Sequence, residues 1–179
     1  MISNKIIELQ PYIKENISLA STLDLIFAKA KYSMQIKGNI NLKEKGSSQI
    51  NLKNCKHPLL GEDAVPINLE IDNKTTTIVI SGPNAGGKTV ALKTLGLASI
   101  MSQSGIQIPC SPDSKLPIFT KFFVHIGDEQ DLDKSESSFS SHISNIIFTI
   151  RNCDKNSLIL IDEIVSSTDP DEGLSLIHI

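Results

Sequence analysis

Between Ile6 and Ala30, apolar side chains recur mostly at helical spacing, through Ile13, Ile17, Ala20, Leu23 and Phe27. That period predicts an amphipathic helix over about Ser3–Tyr32, which Pro11 either begins or kinks. Two readings stay open: a helix packed on its own domain, or the end of a longer helical arm. Lys37 to Ser48 is polar and glycine-containing and reads as a linker. The period then changes. Ile50-Asn51-Leu52 and Pro66–Ile71 alternate apolar with polar, as half-exposed strands do, the second one antiparallel. Asp72-Asn73-Lys74 supplies a turn, and the β-branched run Thr75–Ile80 predicts a buried strand. Gly82–Gly87 is a glycine-rich turn, and Lys88 to Ser104 a helix stopped near Gly105. Ile118–Ile126 fits a strand, Ser137–Asn152 a helix with Phe139, Ile143, Ile146, Ile147 and Ile150 on one face, and Leu158–Ile161 a short, wholly apolar strand. Strands that alternate with helices predict an α/β fold with a mostly parallel sheet plus antiparallel strands, preceded by a helical segment.

Composition narrows the class without changing that picture. The chain of 179 residues is 40% hydrophobic and 21% charged, the balance of one ordinary globular domain with a small appendage. No run approaches the roughly 18 apolar residues of a membrane helix, and Met1-Ile2-Ser3-Asn4-Lys5 lacks the features of a secretory signal. Cys55, Cys110 and Cys153 are odd in number and far apart, so they read as small core residues rather than disulfide partners or zinc ligands. A cytoplasmic protein with no membrane partner is expected. A net charge of −3 and the absence of Trp give neither the basic footprint nor the stacking platform of a nucleic-acid-gripping surface. Any contact with nucleic acid is therefore expected from other parts of the assembly. His57, His125 and His142 are scattered, with no helix-face ligand spacing.

Candidate chemistry sits at the glycine turn. Gly82-Pro83-Asn84-Ala85-Gly86-Gly87-Lys88-Thr89 matches the P-loop pattern without a mismatch, between a β-branched run and an amphipathic helix. Glycines let backbone N–H groups point at phosphate oxygens, and the helix start adds its positive dipole end. Lys88 can reach the β- and γ-phosphates of ATP and Thr89 can ligate Mg²⁺. The apolar strand ending in Asp162-Glu163 supplies the second half. Asp162 is the expected Mg²⁺ holder, and Glu163 the group that orients or deprotonates the attacking water. Glu163 and Lys88 are thus the catalytic candidates. An acid pair here favours hydrolysis over nucleotide storage.

These residues resemble the MutS family, relatives of the ABC-type ATPases. The resemblance runs over nearly the whole chain and favours the second bacterial branch, which often carries a C-terminal Smr nuclease domain. It rests on Gly82-Pro83-Asn84-x-Gly86-Gly87-Lys88-Thr89, Ile126-Gly127-Asp128-Glu129-Gln130, Ser137-Ser138-Phe139-Ser140-Ser141-His142 and Thr168-Asp169-Pro170-x-Glu172-Gly173. Leu23-Asp24, Ile26–Ala30 and Lys56–Leu59 agree. The resemblance implies an ABC-ATPase-like P-loop NTPase that works as a homodimer. In it Asn84 faces the γ-phosphate or attacking water, Ser137 and Ser138 approach the partner subunit's nucleotide, and Asp169 lies in the loop between the two sites. Residues 1–45 would end a helical core or lever region, and 46–179 would be the ATPase domain, incomplete at its C-terminus. Read without the family, Asn84 is a turn former, Ser135–Ser141 an N-cap with a solvated loop, and Asp169 part of an Asp-Pro turn. Val165 and Ser167 stand where the branch usually has glycine, which puts that loop in doubt.

The expected function is ATP-driven clamping on branched or mismatched DNA, in restraint of recombination, with a nuclease domain outside this chain. Three alternatives remain. The same clamp could act on stalled or collided ribosomes. The chain could be a catalytically incompetent binding fragment. A transporter ATPase subunit fits worst, because Ser137-Ser138-Phe139 is not its signature.

Overall fold

The computed structural model describes residues 2–39, 48–83, 86–126 and 135–162. Helix α1 spans Ile2–Ile36 and runs unbroken through Pro11. The helix therefore does not begin at that proline, whose missing N–H leaves one backbone carbonyl a turn earlier without its intrahelical partner. Along α1 the apolar side chains stand exposed, Ile17 at 62% and Phe27 at 67%. Its hydrogen bonds to the rest of the described chain come from its last turns: Lys29 Nζ donates to Ser104 O at 2.7 Å, and the Ser33 hydroxyl to the Gln107 side-chain oxygen.

Strand β1 (Ile50–Cys55) pairs antiparallel with β2 (Ile67–Ile71), Ile50 opposite Ile71 and Leu52 opposite Leu69. Alternation fixes this register, because Ile50 and Leu52 must both face the core. The pairing slips between Leu52 and Cys55, where Asn54 adopts φ 48° and its N–H turns to the Asn68 side chain at 2.9 Å. Asp72 Oδ1 then accepts the N–H groups of Lys74 and Thr75 at 3.0 and 2.7 Å, which makes the expected turn.

Helix α2 (Lys88–Gln103) leads into β3 (Lys121–His125), α3 (Ser135–Asn152) and β4 (Ser157–Ile161). β3 and β4 are parallel, Phe122 beside Leu158 and Val124 beside Leu160, so β3–α3–β4 is a crossover unit. Its two faces take different helices. Leu160 lies under Gly96 of α2, while Phe123 meets Phe148 of α3 edge-on, with ring centres 6.4 Å apart. One core joins these parts: Ile50, Leu52, Cys55, Leu95, Ala98, Ile108, Cys110, Leu116, Leu158 and Leu160. Gln103 ties α2 to the entry of β3 with both ends of its amide, its nitrogen donating to Phe119 O at 2.9 Å and its oxygen accepting Phe119 N–H at 2.8 Å.

Two expectations need correction. Thr75–Ile80 joins no ladder among the described residues, and Val79 is 86% exposed. β-branched composition makes a segment ready to pair, but a strand exists only where a second backbone lies beside it. The described ladders are likewise one antiparallel and one parallel pair, a mixed rather than mostly parallel arrangement. Within the apolar Leu158–Ile161 stretch of β4, Leu158 and Leu160 are buried and Ile159 is 39% exposed. Among the described residues no helix is long and apolar enough to cross a membrane.

Candidate functional site

Gly87 precedes α2 with φ 78°, and Gly82 has φ 150°. Nothing lies within 4 Å of a Cβ built at either position, so the backbone conformation, not space, calls for glycine there. Between them Gly86 N–H closes a turn on Pro83 O at 2.9 Å. The loop thus delivers the chain to α2 with Lys88 and Thr89 as its first two helical residues.

What stands opposite is decided by packing further along α2. A Cβ at Gly96 would come within 2.8 Å of Leu160 Cδ1, so the helix sits directly on β4. Thr94 and Ser99 turn their hydroxyls back to Val90 O and Leu95 O, which lets these polar residues be buried in the same face. With α2 seated this closely, its N-terminus meets the carboxyl end of β4. There the Thr89 hydroxyl donates to Asp162 Oδ2 at 2.5 Å, although the two are far apart in sequence. Lys88 Nζ donates to Gly82 O at 2.5 Å across its own loop. Asp162 is held in turn by its main chain, whose N–H donates to His125 O at 2.9 Å and extends the β3–β4 ladder. Lys88, Thr89 and Asp162 are all half-buried.

The residue set fits a magnesium triphosphate. A hydroxyl and a carboxylate, hard oxygen donors of the kind Mg²⁺ takes, already share one edge, and an ammonium sits one residue away. Gly82, Pro83, Gly86 and Gly87 form the approach. Asn84, Ala85, Glu163 and Asp169 lie outside the described residues, as do Val165 and Ser167. Ser137 and Ser138 fall in the first turn of α3, so their backbone is helical rather than looped; their side chains are outside the description. Among the described residues no group of three or more His, Cys, Asp or Glu could hold a metal. Cys55 and Cys110 are buried and free, in line with their reading as core residues, whereas Cys153 is only half-buried.

Sequence reasoning passed over Gly96, His125 and Thr149. A glycine in mid-helix costs roughly 1 kcal/mol against alanine, and that cost was the available sign of a close approach. His125 was weighed only as a metal ligand, and its Nε2 instead lies 2.8 Å from Thr149 Oγ1.

A glycine loop feeding a helix, and an acid at the end of a parallel strand against that helix, define the class: a mixed α/β domain of the P-loop kind. Residues 78–178 match the family model of MutS domain V. The chain belongs to the MutS family. Endonuclease MutS2 of Caldanaerobacter subterraneus subsp. tengcongensis is 44% identical over 183 aligned positions, 98% of this chain and 23% of that protein. Endonuclease MutS2 of Bacillus velezensis is 46% identical over 165, 92% of this chain and 21% of that protein. Putative endonuclease MutS2 of Bacillus subtilis is 45% identical over 162, 90% and 20%. These relatives place the chain in the second bacterial branch, and it spans about a fifth of their length.

Proposed function

We propose that this chain is the ATP-binding and ATP-hydrolysing segment of a MutS-type protein that acts on DNA. The observation that carries the reading is the hydrogen bond between Thr89 and Asp162, which joins the two halves of a nucleotide site at one sheet edge. Residues 1–45 are the end of a helical lever and linker, and 46–179 belong to the ATPase domain.

Backbone N–H groups of the Gly82–Gly87 loop and the start of α2 bind the phosphates. Lys88 leaves Gly82 O for the β- and γ-phosphate oxygens, a stronger, charge-assisted partner. Thr89 and Asp162 hold Mg²⁺, which, when bound, neutralises phosphate charge. Glu163, next along the chain, orients or deprotonates the attacking water, and Asn84 contacts the γ-phosphate or that water. Ser137 and Ser138, at a helix start, present donors to the nucleotide of a partner subunit in a homodimer, and Asp169 joins the two sites. ATP held between subunits favours closure, and loss of the γ-phosphate releases it. The relatives' names support an endonuclease activity in the protein at natural length. This chain's charge of −3 supports DNA contact through other regions.

The test uses the protein at its natural length. Lys88→Ala is expected to weaken ATP binding by about 10- to 100-fold, the worth of charge-assisted hydrogen bonds. Glu163→Ala should bind ATP normally yet cease to turn it over. Steady-state hydrolysis unchanged in either variant refutes the assignment. Branched DNA, mismatched DNA and ribosomes are offered in the same assay, and stimulation by ribosomes alone would move the substrate from DNA to the ribosome.

A further inference from the structure

His125 ends β3, and two of its contacts run in different directions. Its main-chain oxygen accepts the Asp162 N–H at 2.9 Å, fixing the backbone of the acid that meets Thr89. Its Nε2 shares a hydrogen bond of 2.8 Å with Thr149 Oγ1 on α3. Thr149 is only 2% exposed, so its hydroxyl is held away from water. A polar group buried this far costs free energy unless it is partnered, which makes the imidazole contact one that packing alone would not replace. α3 is the helix whose first turn contains Ser137 and Ser138. The edge-on contact of Phe123 with Phe148 lies on the same face, so β3 and α3 are joined by an apolar and a polar link side by side.

We propose that His125 is a positioning residue of the nucleotide site, the joint through which α3 holds Asp162 in line with Thr89. The inference rests on the proposed function for its meaning, but its geometry stands without it. With the joint intact, a shift of α3 relative to the sheet is carried to the His125 carbonyl and so to Asp162. With the joint cut, the end of β3 keeps its ladder and the Phe123–Phe148 contact but loses this polar tie to α3, and Asp162 meets Thr89 in a smaller fraction of molecules.

The test compares Thr149→Val and His125→Leu with the conservative Thr149→Ser and His125→Gln, all at natural length. Hydrogen exchange without nucleotide should quicken in Ser157–Asp162 and in α3 for the first pair, while α2 and the β1–β2 pair stay as they were. The Mg²⁺ concentration for half-maximal ATP binding should rise about three- to tenfold, the worth of one hydrogen bond. His125→Gln, which keeps a nitrogen in reach of Thr149, should restore both. Unchanged exchange and Mg²⁺ requirement in both Thr149→Val and His125→Leu would overturn the joint, and so would faster exchange spread evenly over the fold. Should the unsubstituted protein take up no ATP, the proposed function fails, and the exchange comparison alone judges His125.

Discussion

Thr89 and Asp162 each have a reason to be where they are that lies in other residues. Thr89 is set by the turn at Gly87, and Asp162 by the His125 carbonyl and the end of β4. Their hydroxyl–carboxylate contact is therefore a product of two independent constraints that agree. Burial pushes the Cys55 thiol up to about 12, and the nearby Cys110 adds to it; burial raises Cys110 as well, against a hydrogen bond from Ser114. A raised thiol pKa removes the thiolate, the form that reacts, so both should resist modification near neutral pH unless the core opens. At pH 8 a thiol reagent should label half-buried Cys153 first, and Cys55 and Cys110 only on unfolding. Three thiols labelled at one rate in the native protein would contradict the core described above.

At the scale of elements, the placement of the site reduces to how closely α2 lies on β4. Gly96 permits it, and a larger side chain there must push against Leu160, itself 3% exposed. Gly96→Val adds a branched Cβ at a 2.8 Å approach and should destabilise the fold by about 1–3 kcal/mol, read by denaturant midpoint, and also weaken ATP binding by lifting Thr89 off Asp162. Equal stability and affinity would mean that α2 is seated by other contacts. Most elements were legible in the sequence because their period is local: alternation over Ile50–Leu52 and Pro66–Ile71, and the apolar face from Ile143 to Ile150. Thr75–Ile80 was not, because a ladder partner is a property of two segments and composition reports on one. The site's three central residues were legible through the P-loop pattern and the acid after Ile161. The Gly96 contact and the His125–Thr149 link were not, since each depends on which residues the fold brings opposite them.

For the molecule as a whole, the core that unites β1, α2, β3 and β4 serves to bring a loop and a strand end to one edge. α1 stands largely outside that core, its apolar side chains uncovered, and is tied to it at Lys29 and Ser33. The account makes its strongest commitment at Thr89 and Asp162, and a double-substitution cycle tests it most directly. Mg²⁺-dependent ATP binding would be measured for Thr89→Ala, Asp162→Asn and the pair, in the protein at natural length. Residues that hold one ion together should be coupled, so the double variant should be scarcely worse than the worse single one, with each single variant needing about tenfold more Mg²⁺. Losses that simply add, or a Mg²⁺ requirement that no variant alters, would contradict a shared site.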